Sequence, residues 1–385
     1  MKFSLKILFI FLALSAEAQH SALRDADSLY QIGKYQEAIN LYEKESQLTS
    51  KIHQKIAQAQ EARGNLSKAI IHYKKALALD KKLVIAAARY GKLLYRTKNY
   101  KRSDSLFAEL IKRFPTNPDF YYQRGLNNQK LENKQAQNYF QKVLRYDATH
   151  QKALYKIAVH QFKNKKYNVV DSLSLIALNE NPDNSKMLSL RAQNFYTQQK
   201  YREAISVFEE LNEKGEGSEF LYEKLGYSYY QIKNYRKAID RFLEVIKINP
   251  DNAKVHLQLG KLYNLLENYN EAEKHLLMAL LLSKTPLDEH YQSLGLTYKM
   301  KKDYKKAINY FKLALEENPK KIRSQFELAV SADNYYKELK TRLNYYELFL
   351  KKFEKHPRAE VYTILAERRA QDLKKEIHFS DSKTD

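Results

Sequence analysis

A chain of 385 residues with a formal charge of +22, 67 Lys and Arg against 45 Asp and Glu, can make two or three globular domains or one repeat array whose core grows along its length. Nine Gly and seven Pro leave little material for turn-rich β structure, and the absence of cysteine excludes disulfides, thiolate metal sites and cysteine nucleophiles. So basic a balance raises a polyanion as partner, or a solvated basic surface with no dedicated anion site, since the lysines are scattered and not gathered in one block.

Residues 1–18 read as a signal peptide. Lys2 and Lys6 precede an apolar run from Ile7 to Leu14, and Ala16-Glu17-Ala18 offers a small-x-small cleavage site that leaves Gln19 first. The run is too short to span a bilayer, and no cysteine stands at the cut to carry a lipid. The expectation is a soluble protein exported to the periplasm or secreted, with an uncleaved N-terminal anchor or a frayed helix as the alternatives. Export in turn argues against nucleic acid as the polyanion.

Beyond this segment a small residue is followed four positions later by a larger one, over and over. The column runs Ala38/Tyr42, Ala69/Tyr73, Ser103/Phe107, Ala136/Phe140, Val170/Ser174, Ala204/Phe208, Ala238/Phe242, Ala272/Leu276 and Ala307/Phe311, at gaps of 31 to 35 residues. Every proline, from Pro115 to Pro357, falls between the helices this period predicts, where a missing N–H and a fixed φ end one helix or begin the next. The clearest unit carries Tyr222, Leu225, Gly226, Tyr229, Tyr235, Ala238, Phe242 and Pro250, and the next two repeat it through Gly260, Tyr263, Ala272, Gly295, Tyr298 and Ala307.

On these residues the chain resembles the tetratricopeptide-repeat family, of an exported bacterial type. Trp is absent throughout, so Tyr, Phe or an aliphatic residue opens each unit. The resemblance implies an all-α fold, an α-solenoid of about nine to ten helix-turn-helix repeats over 19–354, closed by a C-terminal capping helix and disordered tail over 355–385. Two antiparallel helices approach closely only at small side chains, so Gly226 and Ala238, Gly260 and Ala272, and Gly295 and Ala307 are expected to mark the crossings. The first unit is irregular, and a tenth from about Ile322 to Phe353 lacks the glycine–alanine crossing. After Pro357 a stripe of Tyr362, Ala366, Ala370, Leu373 and Ile377 suits a helix covering the last repeat. Residues 379–385 read as a polar disordered tail.

In the resembled family ligands lie in a concave groove lined by the first helix of each pair. The residues flanking the buried columns there are Tyr95, Tyr122, Tyr155, Phe162, Tyr196, Tyr227 and Tyr230, interleaved with Lys92, Arg96, Lys130, Lys152, Lys163 and Lys186. Aromatic area with basic posts suits an extended protein or peptide segment, an acidic one above all. Most of the 31 tyrosines, among them Tyr100, Tyr167, Tyr201, Tyr235, Tyr269 and Tyr304 at second-helix starts, are expected to be packing residues. The lysine–asparagine pairs by which some family members grip a C-terminal carboxylate have no counterpart at the equivalent positions.

No constellation points to catalysis, a cofactor or a metal. There is no phosphate-cradling glycine loop, HExxH or GxSxG. His256 and His275 fall on different helices and are expected to be separate packing or solvated histidines, and paired acids such as Glu209-Glu210 to be solvated helix faces. The expectation is a non-catalytic interaction scaffold of the cell envelope. The alternative is a basic envelope-associated protein that adsorbs to anionic lipid or glycan.

Overall fold

The computed structural model describes residues 23–381 except 46 and 285, so residues 1–18, expected to be a signal peptide, and the last four residues lie outside the described residues. The described chain is α-helical and contains no strand. It divides into two compact units, 1–187 and 188–385.

The first unit holds α1 (23–31), α2 (Tyr35–Glu43), α3 (Ser50–Ala62), α4 (Leu66–Leu79), α5 (Val84–Arg96), α6 (Tyr100–Arg113), α7 (Pro118–Lys130), α8 (Ala136–Tyr146), α9 (Gln151–Lys163) and α10 (Tyr167–Glu180). The second begins with most of α11 (Ser185–Thr197) and continues with α12 (Tyr201–Glu213), α13 (Glu219–Gln231), α14 (Tyr235–Ile248), α15 (Ala253–Leu265) and α16 (Tyr269–Leu282). Its remainder is α17 (Asp288–Met300), α18 (Tyr304–Glu317), α19 (Ile322–Tyr335), α20 (Leu339–Phe353), a 3₁₀ turn at Pro357–Ala359 and α21 (Glu360–Asp381). Odd-numbered helices are the first of each pair up to α19, and even-numbered helices the second. Within each unit a helix packs on its neighbours in chain order, as a stack of hairpins requires.

The turn inside each hairpin from α1–α2 to α17–α18 is set by one residue with left-handed backbone, and the α19–α20 turn has none. Gly33 and Gly64 take φ of +82° and +80° there, but the equivalent places are held by Lys98, Glu132, Lys165, Gln199, Lys233, Glu267 and Lys302, all with φ between 54° and 63°. A side chain in this region is disfavoured, so the turn is imposed by the helices it joins. Asn234, Asn268 and Asp303 follow and cap the next helix, each accepting from a backbone N–H three residues on.

The crossings are tighter than small-against-small contact. A Cβ on Gly226 would stand 2.6 Å from Cε1 of Phe242, and glycines 91, 125 and 295 face Phe107, Phe140 and Phe311 in the same way. Glycine is therefore the seat of the aromatic ring from the second helix, and Gly260 seats Leu276. Ala238, Ala272 and Ala307 are each fully buried one turn before that large residue. Where the seat is Ala158, the residue sixteen positions on is the smaller Ser174.

The C-terminal helix covers the last pair, with Ala366, Ala370 and Leu373 buried in one cluster with Ala329, Tyr346, Phe349 and Phe353. Asp333 of α19 fixes it by accepting from Arg369 at 2.8 Å and from Arg342. The helix runs to Asp381, so residues 379–381 are helical and not tail. No Gly or Pro follows Leu373 to stop it, and Ser380 Oγ donates to the Ile377 carbonyl at 2.9 Å.

Candidate partner-binding faces

Neighbouring first helices meet at residues 28 apart, a relation absent from the repeat columns. In the first unit Lys55 Nζ reaches Asp27 at 2.5 Å, and Arg89 stands 3.9 Å from Glu61. In the second, Lys224 lies 4.9 Å over the ring of Tyr196, Lys261 pairs with Glu289, and Lys299 pairs with Glu327 at 2.6 Å. These contacts tie the repeats they join within each unit, so the candidate residues must be sorted between structural partners and free groups.

In the first unit Tyr95 is half-buried and meets Tyr100 edge-on at 5.4 Å, while Phe162 meets Tyr167 edge-on at 6.0 Å. Tyr122 is buried between Phe140 at 5.7 Å and His150 at 5.3 Å. Burial, then the neighbouring Tyr95, holds its hydroxyl above the usual tyrosine range. Tyr155 is half-buried on α9. Arg96 is committed to Glu61 at 3.2 Å, but Lys92, Lys130, Lys152 and Lys163 are exposed and have no ion pair among the described residues.

Charge on this side is one-sided. Helices α5 and α9 contain six Lys and Arg between them and no Asp or Glu. Lys156 is the sharpest case: its ammonium donates to the neutral Gln129 side chain at 3.1 Å, and burial, then the nearby Lys130, depress its proton affinity. No carboxylate answers either cation among the described residues.

In the second unit Tyr196 meets Tyr201 edge-on at 5.8 Å, Tyr230 meets Tyr235 at 6.0 Å, and Tyr227 packs edge-on against Phe242 at 5.2 Å. The Tyr227 hydroxyl is pushed up to about 12 by burial, then by Glu223, Tyr196 and Glu289. Here Lys261 and Lys299 have carboxylate partners, and Tyr196 and Tyr227 both sit near Glu223. Four of the seven candidate aromatics, Tyr95, Phe162, Tyr196 and Tyr230, thus lean on the tyrosine that opens the second helix of their own hairpin.

Two expectations are corrected. His256 and His275 are not separate: their Nδ1 atoms lie 2.9 Å apart, because positions 19 apart face each other across the hairpin, and His53 and His72 repeat the arrangement at 3.2 Å. His256 Nε2 donates to the Pro250 carbonyl at 2.9 Å, and in the neutral ring this leaves Nδ1 to accept from His275 Nδ1–H. Glu209 is not merely solvated, since it accepts from the Tyr229 hydroxyl at 2.8 Å, as Glu61 does from Tyr73 at 3.0 Å and Glu273 from Tyr298 at 2.6 Å. No group of three metal-ligating side chains occurs among the described residues, and no described helix is long and apolar enough to cross a membrane.

Four family models match: one described as TPR repeat over residues 226–266, and three described as tetratricopeptide repeat over 251–316, 50–83 and 26–43. Among solved structures, the chain is similar to the C-terminal part of a TPR repeat-containing protein from Cytophaga hutchinsonii, at 18% identity over 63% of this chain and 99% of that one, with a TM-score of 0.50. It is also similar to a tetratricopeptide repeat protein from Parabacteroides merdae (16% identity, 64% and 98% covered, TM-score 0.44). A third is YrrB, described as a TPR protein with an unusual peptide-binding site (15% identity, 48% and 95% covered, TM-score 0.45). No curated protein matches the chain. At its identity and score the Cytophaga structure supports the helical repeat fold.

Proposed function

Because this chain is a tetratricopeptide-repeat protein, a fold that serves as a scaffold for protein partners, we propose that it is a non-catalytic scaffold of the cell envelope that holds an acidic protein segment on its first-helix face. The segment lies on α5, α7 and α9, where Tyr95, Tyr155 and Phe162 give partly exposed aromatic area and Lys92, Lys130 and Lys163 stand unpaired. The observation that carries this is Lys156, a half-buried ammonium beside Lys130 whose hydrogen-bond partner is neutral. A carboxylate entering there relieves like-charge repulsion and replaces a weak hydrogen bond by a charged one. The N-terminal segment, with its basic start, apolar run and Ala16-Glu17-Ala18, supports export before binding.

The test is fluorescence anisotropy with a labelled peptide of alternating Glu and Leu, against wild type and the charge-reversed pair Lys130→Glu, Lys156→Glu. The pair is expected to bind about 10-fold or more weakly at moderate salt, the scale of losing one desolvated charge contact. Equal affinity rejects the site.

A second reading, adsorption to anionic lipid or glycan, is favoured by the net charge of +22. Ionic strength separates the two. Adsorption through scattered lysines vanishes at high salt, whereas binding anchored on aromatics persists in part.

A further inference from the structure

On α4, α5 and α6 the first unit holds a cleft of about 650 Å³ that the repeat pattern does not require. Leu77, Leu94, Leu106 and Leu110 make it apolar, and the volume falls in the range of small-molecule sites, roughly 300–1,000 Å³. Tyr90 lines it. That position is Leu225, Leu259 and Leu294 in the clearest repeats, so a phenol stands where an aliphatic side chain would complete the packing. Tyr90 is 6% exposed, and its hydroxyl is buried without a hydrogen-bond partner among the described residues. Lys74, Lys81, Lys82, Arg102 and Arg113 also line the cleft, against one acid, Glu109. None of the five is ion-paired among the described residues, although Arg113 donates to the Lys81 carbonyl at 2.8 Å.

We propose that this cleft binds an amphiphilic anion, with a single alkyl or acyl chain on the leucines and a carboxylate or phosphate accepting from Tyr90 among the cations. Among the described residues no group accepts the phenol's proton, and the five cations outnumber the single acid Glu109. One anionic oxygen answers both. A peptide is the poorer fit, because its backbone N–H groups need acceptors, and the lining offers only Tyr90, Ser105 and Glu109 as non-cationic polar side chains. The inference does not rest on the first-helix reading.

Titration calorimetry on the full chain, below the micelle concentration, tests it with dodecanoate, dodecyl phosphate and dodecyltrimethylammonium. One equivalent of dodecanoate or dodecyl phosphate is expected to bind, the tighter of the two naming the head group, and the cationic amphiphile to bind at least about 10-fold more weakly. Tyr90→Phe keeps the ring and removes the hydroxyl, and Arg102→Glu changes an exposed charge. Each should weaken the anionic ligand by about 5-fold or more with the circular dichroism unchanged. Absence of binding, equal binding of the cationic amphiphile, or indifference to both variants overturns the proposal. So does competition by a glutamate-rich peptide at lower concentration than dodecanoate, which would make the cleft a protein site.

Discussion

Gly226→Ala adds one methyl group at a helix crossing where the partner is a buried ring. Its Cβ would lie 2.6 Å from Cε1, 2.7 Å from Cδ1 and 2.9 Å from Cζ of Phe242, a ring with no exposed surface. Three clashes against a ring that cannot withdraw put the overpacking at about 2–3 kcal/mol, the upper part of the usual range. Alanine's helix preference over glycine returns about 1 kcal/mol, leaving a net loss of about 1–2 kcal/mol. Removing the ring should reverse the sign. Phe242→Ala alone costs about 3–5 kcal/mol, but in that background Gly226→Ala has space and should stabilise by up to about 1 kcal/mol. Urea unfolding followed by circular dichroism on the four proteins of the cycle measures both. A Gly226→Ala protein as stable as wild type, or an effect of the same sign in both backgrounds, refutes the seating of Phe242 on Gly226.

The hairpin turns predict the opposite response to glycine. Lys233→Gly, at φ +62°, should raise stability by about 0.5–1 kcal/mol, since relief of left-handed strain outweighs the added freedom of the unfolded chain. A lower thermal midpoint would contradict this. Acid should weaken the fold through the histidine pairs. Burial, then His256 and Lys274, hold His275 at about 4, with Glu271 opposing, so its unfolded form takes up a proton first as pH falls below about 6.5. The contribution is complete above that value and is lost toward pH 4, about 2 kcal/mol being gone at pH 5. His275→Gln should flatten the stability profile between pH 7 and 5, and an unchanged slope would reject the assignment. For export, mass spectrometry of the protein recovered from its native host should give a chain beginning at Gln19. A chain retaining Met1 contradicts the cleaved signal.

The repeat was legible in sequence because packing at a hairpin crossing tolerates so few residues. Gly226 and Phe242 can sit sixteen apart only if two helices fold back on one another, and several such pairs at one period leave no other fold. Helices beginning at Tyr100, Tyr167, Tyr201, Tyr235, Tyr269 and Tyr304 are where the tyrosines placed them. What stayed hidden were contacts at separations with no intrinsic period. Lys261 and Glu289, or His256 and His275, are unremarkable until the stacking offset of 28 or the hairpin offset of 19 is known. Nor does periodicity distinguish Tyr95, leaning on Tyr100, from Tyr155 on the next first helix but one, because both fall beside the same buried column. The unpaired Lys156 and the unpartnered Tyr90 hydroxyl are visible only once their neighbours are placed.

The binding claim is tested most directly by site-specific photocrosslinking in the native host, with a photoreactive residue replacing Tyr155 on α9 or, in a second strain, the exposed Lys112 on α6. A discrete protein adduct from position 155, absent from 112 and lost when Lys130 and Lys156 are both changed to Glu, is the expected result. Adducts from 112 with none from 155 would place the partner on the second helices and contradict the account.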